Sequence, residues 1–117
     1  MATFSKIKLS GSTSGKPIKV TATATTGTTI PTAIAGSSDV DECWLYACNT
    51  GASSVLLTLE WGGTTSPDDL IEVAIPGESG LTLIAPGLLL NGGLLITAFA
   101  GTADVINIIG FVNRIEA

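Results

Sequence analysis

The oxygen ligands of this chain are concentrated in a few places. Asp39, Asp41 and Glu42 form a D-x-D-E cluster, a donor set of the kind that holds calcium. The glycine that such a loop needs for its sharp turn is missing, since Gly36 precedes the cluster. The three acids therefore read as a solvated loop running into a strand. Asp68 and Asp69 are adjacent, and neighbours in a turn point apart. They read as the acids of a short capped turn, with Ser66 as N-cap and Pro67 at the first position. Trp44, Tyr46 and Trp61 have the ring types that stack on sugars, and equally the types that anchor a core or an interface. Gly62-Gly63 and Gly92-Gly93 lack the strand–loop–helix setting of a phosphate-binding loop, and the spacing of Ser and Lys marks no catalytic pair. With no histidine, a Ser-His-Asp triad, a His-ligated metal and a histidine switch are excluded. The expectation is a chain without catalytic, cofactor-binding or metal-ligating residues.

The elements that position these side chains read as strands. Helical periodicity is almost absent, while Thr, Val and Ile are common and turn signals recur every 8–12 residues or so, the spacing of a sandwich or barrel. Phe4–Leu9 alternates with Lys6 and Lys8 on one face, and the Ser/Gly-rich run Ser10–Lys16 follows as a flexible link. Ile18–Thr25 alternates between Ile18, Val20, Ala22, Ala24 and a Lys/Thr face. Thr29–Ala35 contains Pro31, which confines it to an edge or a bulge. In Val40–Cys48, Glu42, Trp44, Tyr46 and Cys48 face one way, and Cys43, Leu45 and Ala47 the other. Val55, Leu57, Leu59 and Trp61 form an inward face, with Thr58 and Glu60 outward. Leu70–Ile75, short pieces at Leu81–Ala85 and Leu88–Leu90, then Leu94–Ala100 and Val105–Ile115 complete the pass. Gly110 within the last strand marks a bulge or a close backbone approach. The expected fold is all-β: one β-sandwich or jelly-roll-like domain of about eight strands over residues 17–117, preceded by a flexible N-terminal arm and link over residues 1–16.

Composition narrows the function. Across 117 residues, 45% are hydrophobic and only 13% charged, against about 25% charged in an average domain, which excludes a disordered chain. So little charge covers a solitary domain poorly, and burial against other subunits is the simplest remedy. A net charge of −5 argues against nucleic acid as a partner. Leu81–Ala103 is uncharged, but Pro86-Gly87 and Asn91-Gly92-Gly93 cut it into strand-length pieces, so no membrane partner is expected. The opening residues hold lysines and no apolar core of a secretion signal. Cys43 and Cys48 lie on opposite faces of one strand, about 16 Å apart at the usual rise, and so are expected as free thiols made in a reducing cytoplasm. Charge is also segregated. Lys6, Lys8, Lys16 and Lys19 precede every acid, and Asp39 to Glu78 holds acids without a base. That pattern suits head-to-tail contact between copies, or equally a basic strand paired inside its own domain.

The run S-K-I-K-L-S-G from Ser5, D-E-C-W-L-Y-A-C-N-T from Asp41, L-E-W-G-G-T-T-S-P-D-D-L from Leu59, and Ile75-Pro76-Gly77-Glu78 followed by Leu88–Gly93 resemble small virion structural proteins of tailed bacteriophages. The resemblance implies a β-sandwich that decorates or cements the capsid shell as a homotrimer, bound to itself and to the major capsid protein, without cofactor or enzymatic activity. It places the protein on the virion surface after synthesis in the host cytoplasm. Candidate assembly contacts are Phe4, Lys6, Ile7, Lys8, Leu9, Trp44, Tyr46 and Trp61. The alternative is a tail or fibre sandwich whose Trp44, Tyr46 or Trp61 binds host-surface carbohydrate.

Overall fold

Alternation of β-branched and aromatic residues with polar ones produces nine strands in the computed structural model, which describes residues 2–117. They are β1 (Thr3–Lys8), β2 (Ile18–Lys19), β3 (Thr28–Thr32), β4 (Val40–Asn49), β5 (Val55–Trp61), β6 (Leu70–Ile75), β7 (Thr82–Leu90), β8 (Leu95–Ala100) and β9 (Ile106–Glu116). No helix occurs among the described residues. One sheet, here sheet A, has the order β1-β9-β4-β7 with β2 also on β9; sheet B has the order β3-β8-β5-β6. All pairings are antiparallel and they nest: β1 and β2 with β9, β3 with β8, β4 with β7, β5 with β6. A long hairpin rolled up on itself in this way is a jelly roll.

Six connections cross between the sheets: β2 to β3, β3 to β4, β4 to β5, β6 to β7, β7 to β8 and β8 to β9. β1 and β3 therefore share one flank of the sandwich, and β7 and β6 the other. Between the sheets lie Leu45, Leu57, Leu59, Ile96, Ile106 and Ile108, all buried, as the period-2 pattern requires.

Three expectations change. The N-terminal arm is a strand of its own domain: β1 pairs with β9 from Thr3↔Glu116 to Lys8↔Phe111, and Leu9 is buried in the core. Strand pairing and about 2–3 kcal/mol from burying one leucine hold it down. The Ser/Gly link is folded as well, with Ser12 Oγ donating to the Lys16 carbonyl and the Gly11 N–H donating to Ile30. Ile18–Thr25 is not one strand. Bonding to β9 ends with the Val20 N–H on the Ile106 carbonyl. The chain then passes β8, the Ala100 N–H donating to the Ala22 carbonyl, and crosses the outside of sheet B as a strap that reaches Glu60 through Thr25 and Gly27. Finally, the pieces around Pro86 form the single strand β7: one register shift against β4 takes up Gly87, Pro86 stays opposite Trp44, and a second shift takes up Ile84. Gly110 is a site of close approach: a Cβ there would lie 2.0 Å from the Trp44 carbonyl oxygen, while the β4–β9 register runs through it unbroken.

Glu60 is the least foreseen residue of the fold. Its position alternates outward, yet the strap buries it completely. Thr25 Oγ1 donates to its Oε2 at 2.5 Å; Thr97 Oγ1 and the Gly27 N–H donate to its Oε1 at 2.6 and 2.8 Å. Desolvation pushes the carboxyl up, but the hydrogen bonds from Thr25, Thr97 and Gly27 outweigh it and hold Glu60 below its ordinary value.

Candidate functional site

The acids of the D-x-D-E cluster diverge. Asp41 faces inward and is buried, where Arg114 grips both its oxygens at 2.8 and 3.0 Å and the Ile34 N–H donates to Oδ2 at 3.0 Å. Asp39 accepts from the Ala117 N–H at 2.7 Å. Glu42 points to the other face of β4, where its Oε1 accepts from Asn113 Nδ2 at 3.0 Å and Trp44 Nε1 at 2.7 Å. Those bonds, Asn113 first, hold its carboxyl below the usual range. Alternation along β4 thus separates the carboxylates, and no group of three or more metal-ligating side chains forms among the described residues. At the Asp68-Asp69 turn no helix forms; the Asp69 carboxylate accepts from the Thr65 N–H at 3.1 Å and the Asp69 N–H donates to the Thr65 carbonyl at 2.9 Å. Cys43 is buried and Cys48 half-buried, both as free thiols.

What converges is the outer face of sheet A. Residues paired across the strands share a face, so Phe4 lies beside Ile115, Lys6 beside Asn113, and Trp44 beside Phe111 and Pro86. Tyr46 lies between Ile109 and Leu83, and Glu42 between Asn113 and Leu89. The result is a mostly apolar surface on which Phe4 is 71%, Leu89 57% and Leu83 46% exposed. Its centre is a stack. The Lys6 ammonium sits 4.4 Å from the Phe111 ring centroid, and the Trp44 ring lies 6.2 Å beyond at an interplanar angle of 14°. Gly87, at a φ of 76°, closes the other side: a Cβ there would come within 2.9 Å of the indole. Phe111 therefore carries a cation over its ring and an indole nearly parallel to it, and Gly87 packs against that indole in turn. Beside the stack a depression of about 320 Å³ is lined by Phe4, Lys6, Glu42, Asn113 and Ile115.

Of the candidate contacts, Phe4, Lys6, Lys8, Trp44 and Tyr46 come together on this face. Ile7 is half-buried on the inward side of β1 and Leu9 lies in the core, so neither is presented there. Trp61 belongs to sheet B, packs against the core and donates its indole N–H to the Leu89 carbonyl at 3.4 Å. The trio Trp44, Tyr46 and Trp61 is thus divided between the two sheets. Phe111, Ile115, Leu83 and Leu89 complete the face. Their signal in the sequence is apolar residues at both parities of β7 and β9, more than one buried face requires.

No protein-family model matches this chain, and neither a curated protein nor a solved structure does.

Proposed function

We propose that this protein is a non-enzymatic virion subunit that decorates or cements a tailed-phage capsid shell, docking through the outer face of sheet A and associating with itself. The observation that carries the reading is that face: aromatics packed against their neighbours, with Phe4, Leu83 and Leu89 exposed around them, on the outer side of sheet A. A contiguous apolar surface of this kind is costly to leave in water and is a mark of a protein–protein contact. Jelly rolls serve both capsids and lectins, so the fold alone does not choose. Lys6 over the Phe111 ring and Gly87 against the Trp44 indole favour a protein partner over a sugar, because pyranose recognition needs an open ring face. The partner would be the major capsid protein or another virion protein, met after synthesis in the host cytoplasm.

Incorporation into particles is the test. Tagged protein supplied during phage assembly should be found on the shell by cryo-electron microscopy, and Leu89→Lys should fold normally yet be absent from particles. Location on tail fibres, with glycan binding that Trp44→Ala abolishes, would instead establish the carbohydrate reading.

A further inference from the structure

A two-sheet sandwich ends in four strand edges, and here they are unequal. The β3 edge carries Pro31 and a register shift, and is already engaged by the Gly11 N–H on the Ile30 carbonyl and by Ser10 Oγ accepting from Thr32. The β7 edge carries Pro86 and two register shifts. Both are blunted in the way that sheet proteins avoid edge-to-edge association. The edges at β1 and β6 are different. Each strand is six residues long, free of proline, and paired with its inner neighbour in unbroken register. They lie on opposite flanks of the sandwich and carry opposite charge. β1 presents Lys6 and Lys8, while β6 presents Glu72, preceded by Asp68, all exposed.

We propose that the β1 edge of one copy pairs antiparallel with the β6 edge of a second copy, Lys6 opposite Glu72. This register matches every position. Phe4, the most exposed large apolar side chain described, falls opposite Ala74, which leaves room for its ring against Leu56, itself 49% exposed and beside Ala74. Lys8 falls opposite Leu70 next to the Asp68 turn. On the other side of the strands, Ile7 meets Ile71 and Ser5 meets Val73, all half-buried in the single chain. Like charge disfavours β1 against β1 and β6 against β6, so the lysines and acids both permit the head-to-tail pairing and suppress the symmetrical ones. Backbone hydrogen bonds supply the adhesion and the charges supply the choice of edge. Such a contact gives a closed ring or an open chain according to whether its rotation closes.

The inference rests on the self-association part of the proposed function and is independent of the shell. Sedimentation velocity on Lys6→Glu/Lys8→Glu and on Asp68→Lys/Glu72→Lys, each checked for folding by circular dichroism, tests it. Each variant alone should associate about tenfold or more weakly than wild type at low salt. An equimolar mixture should recover association, since both of its cross-pairings are again opposite in charge. Wild-type association should also weaken as salt rises. Association of both variants at wild-type strength would overturn the β1–β6 pairing and leave self-association through another surface. A wild type that stays monomeric at every accessible concentration would overturn self-association itself. Should a variant misfold, Lys6→Gln/Lys8→Gln and Asp68→Asn/Glu72→Gln replace the reversals, with a smaller weakening expected for each and the loss of the salt dependence.

Discussion

Replacing Glu60 by Gln isolates the one buried charge among the described residues that has no cationic partner within hydrogen-bonding reach. Three donors converge on its carboxylate, from Thr25, Gly27 and Thr97, and together they fasten the strap to sheet B. Hydrogen bonds to a charged group contribute about 1.5–3 kcal/mol each, against about 0.5–1.5 for neutral ones. Glutamine keeps the shape and can still accept from Gly27 and Thr97, while the Thr25 hydroxyl must turn to accept from the new amide. Lost charge assistance, offset by the removed desolvation cost, leaves a net destabilisation of about 1–3 kcal/mol at pH 7. For a chain of this length that corresponds to a fall in Tm of about 4–12 °C. Glu60→Ala also strands the Gly27 N–H and should lose about 3–5 kcal/mol.

The pH dependence carries the sharper signature. The folded carboxyl lies below its ordinary value, so its contribution is fully present above the unfolded pKa of about 4.3 and disappears as pH falls through the folded value. Thermal melts of wild type and Glu60→Gln should therefore differ at pH 7 and converge in acid. Amide exchange at Gly27 should be accelerated in the variant. If Glu60→Gln matches or exceeds wild-type Tm at pH 7, charge does not hold the strap and the reasoning fails.

Other substitutions probe separate parts of the architecture. Arg114→Ala leaves Asp41 buried without its bidentate partner and should cost about 3–5 kcal/mol by chemical denaturation, whereas the paired replacement Asp41→Leu/Arg114→Met should lose much less. Burial, with Asp41 nearby, pushes the Cys43 thiol up to about 12, so alkylation of the native protein at pH 8 should label Cys48 first and Cys43 only on unfolding, as read by mass spectrometry. Deleting residues 1–15 removes β1 and the buried Leu9, and should lower Tm by more than about 10 °C; an unchanged Tm would restore the free-arm reading.

Those parts of the fold that local pattern decides were legible. β5 and β6 span the residues that alternation and turn chemistry mark, Val55–Trp61 and Leu70–Ile75, because both are half-buried strands bounded by Gly, Ser and Pro. The parity of β4 was equally clear, and it places Trp44 and Tyr46 on the same face. Ile18–Thr25 has the same alternation, yet only its first residues pair, since a strand also needs an unoccupied neighbour. Glu60 reads as solvated because the residues that bury it come from a segment some 35 positions earlier. For β1, a link rich in Ser and Gly looks mobile until β9, about a hundred residues downstream, supplies the partner. The docking face is legible in halves. Trp44 and Tyr46 follow from β4 alone, but Phe111, Ile115 and Leu89 join them only once the strand order is known.

The strap also narrows the apolar surface left open on sheet B, where Leu56 and Leu95 stay 49% and 42% exposed. The outer face of sheet B carries Leu56, Phe99 and Leu95 as well as Thr58, Glu60 and Thr97, and left bare it would compete with sheet A for partners. Residues 21–28 lie across part of it and leave Thr21, Thr23 and Thr26 exposed, while Thr25 turns inward to Glu60, so polar surface is supplied by Thr rather than by Lys or Glu. Glu60 is the fastening that keeps this cover in place. Loss of that fastening should uncover apolar surface on sheet B, so Glu60→Ala should bind a hydrophobic dye and aggregate below its Tm, while Leu89→Lys on sheet A should not. If the two variants behave alike, the strap does not cover sheet B in solution, and the proposal that sheet A is the docking face loses this support.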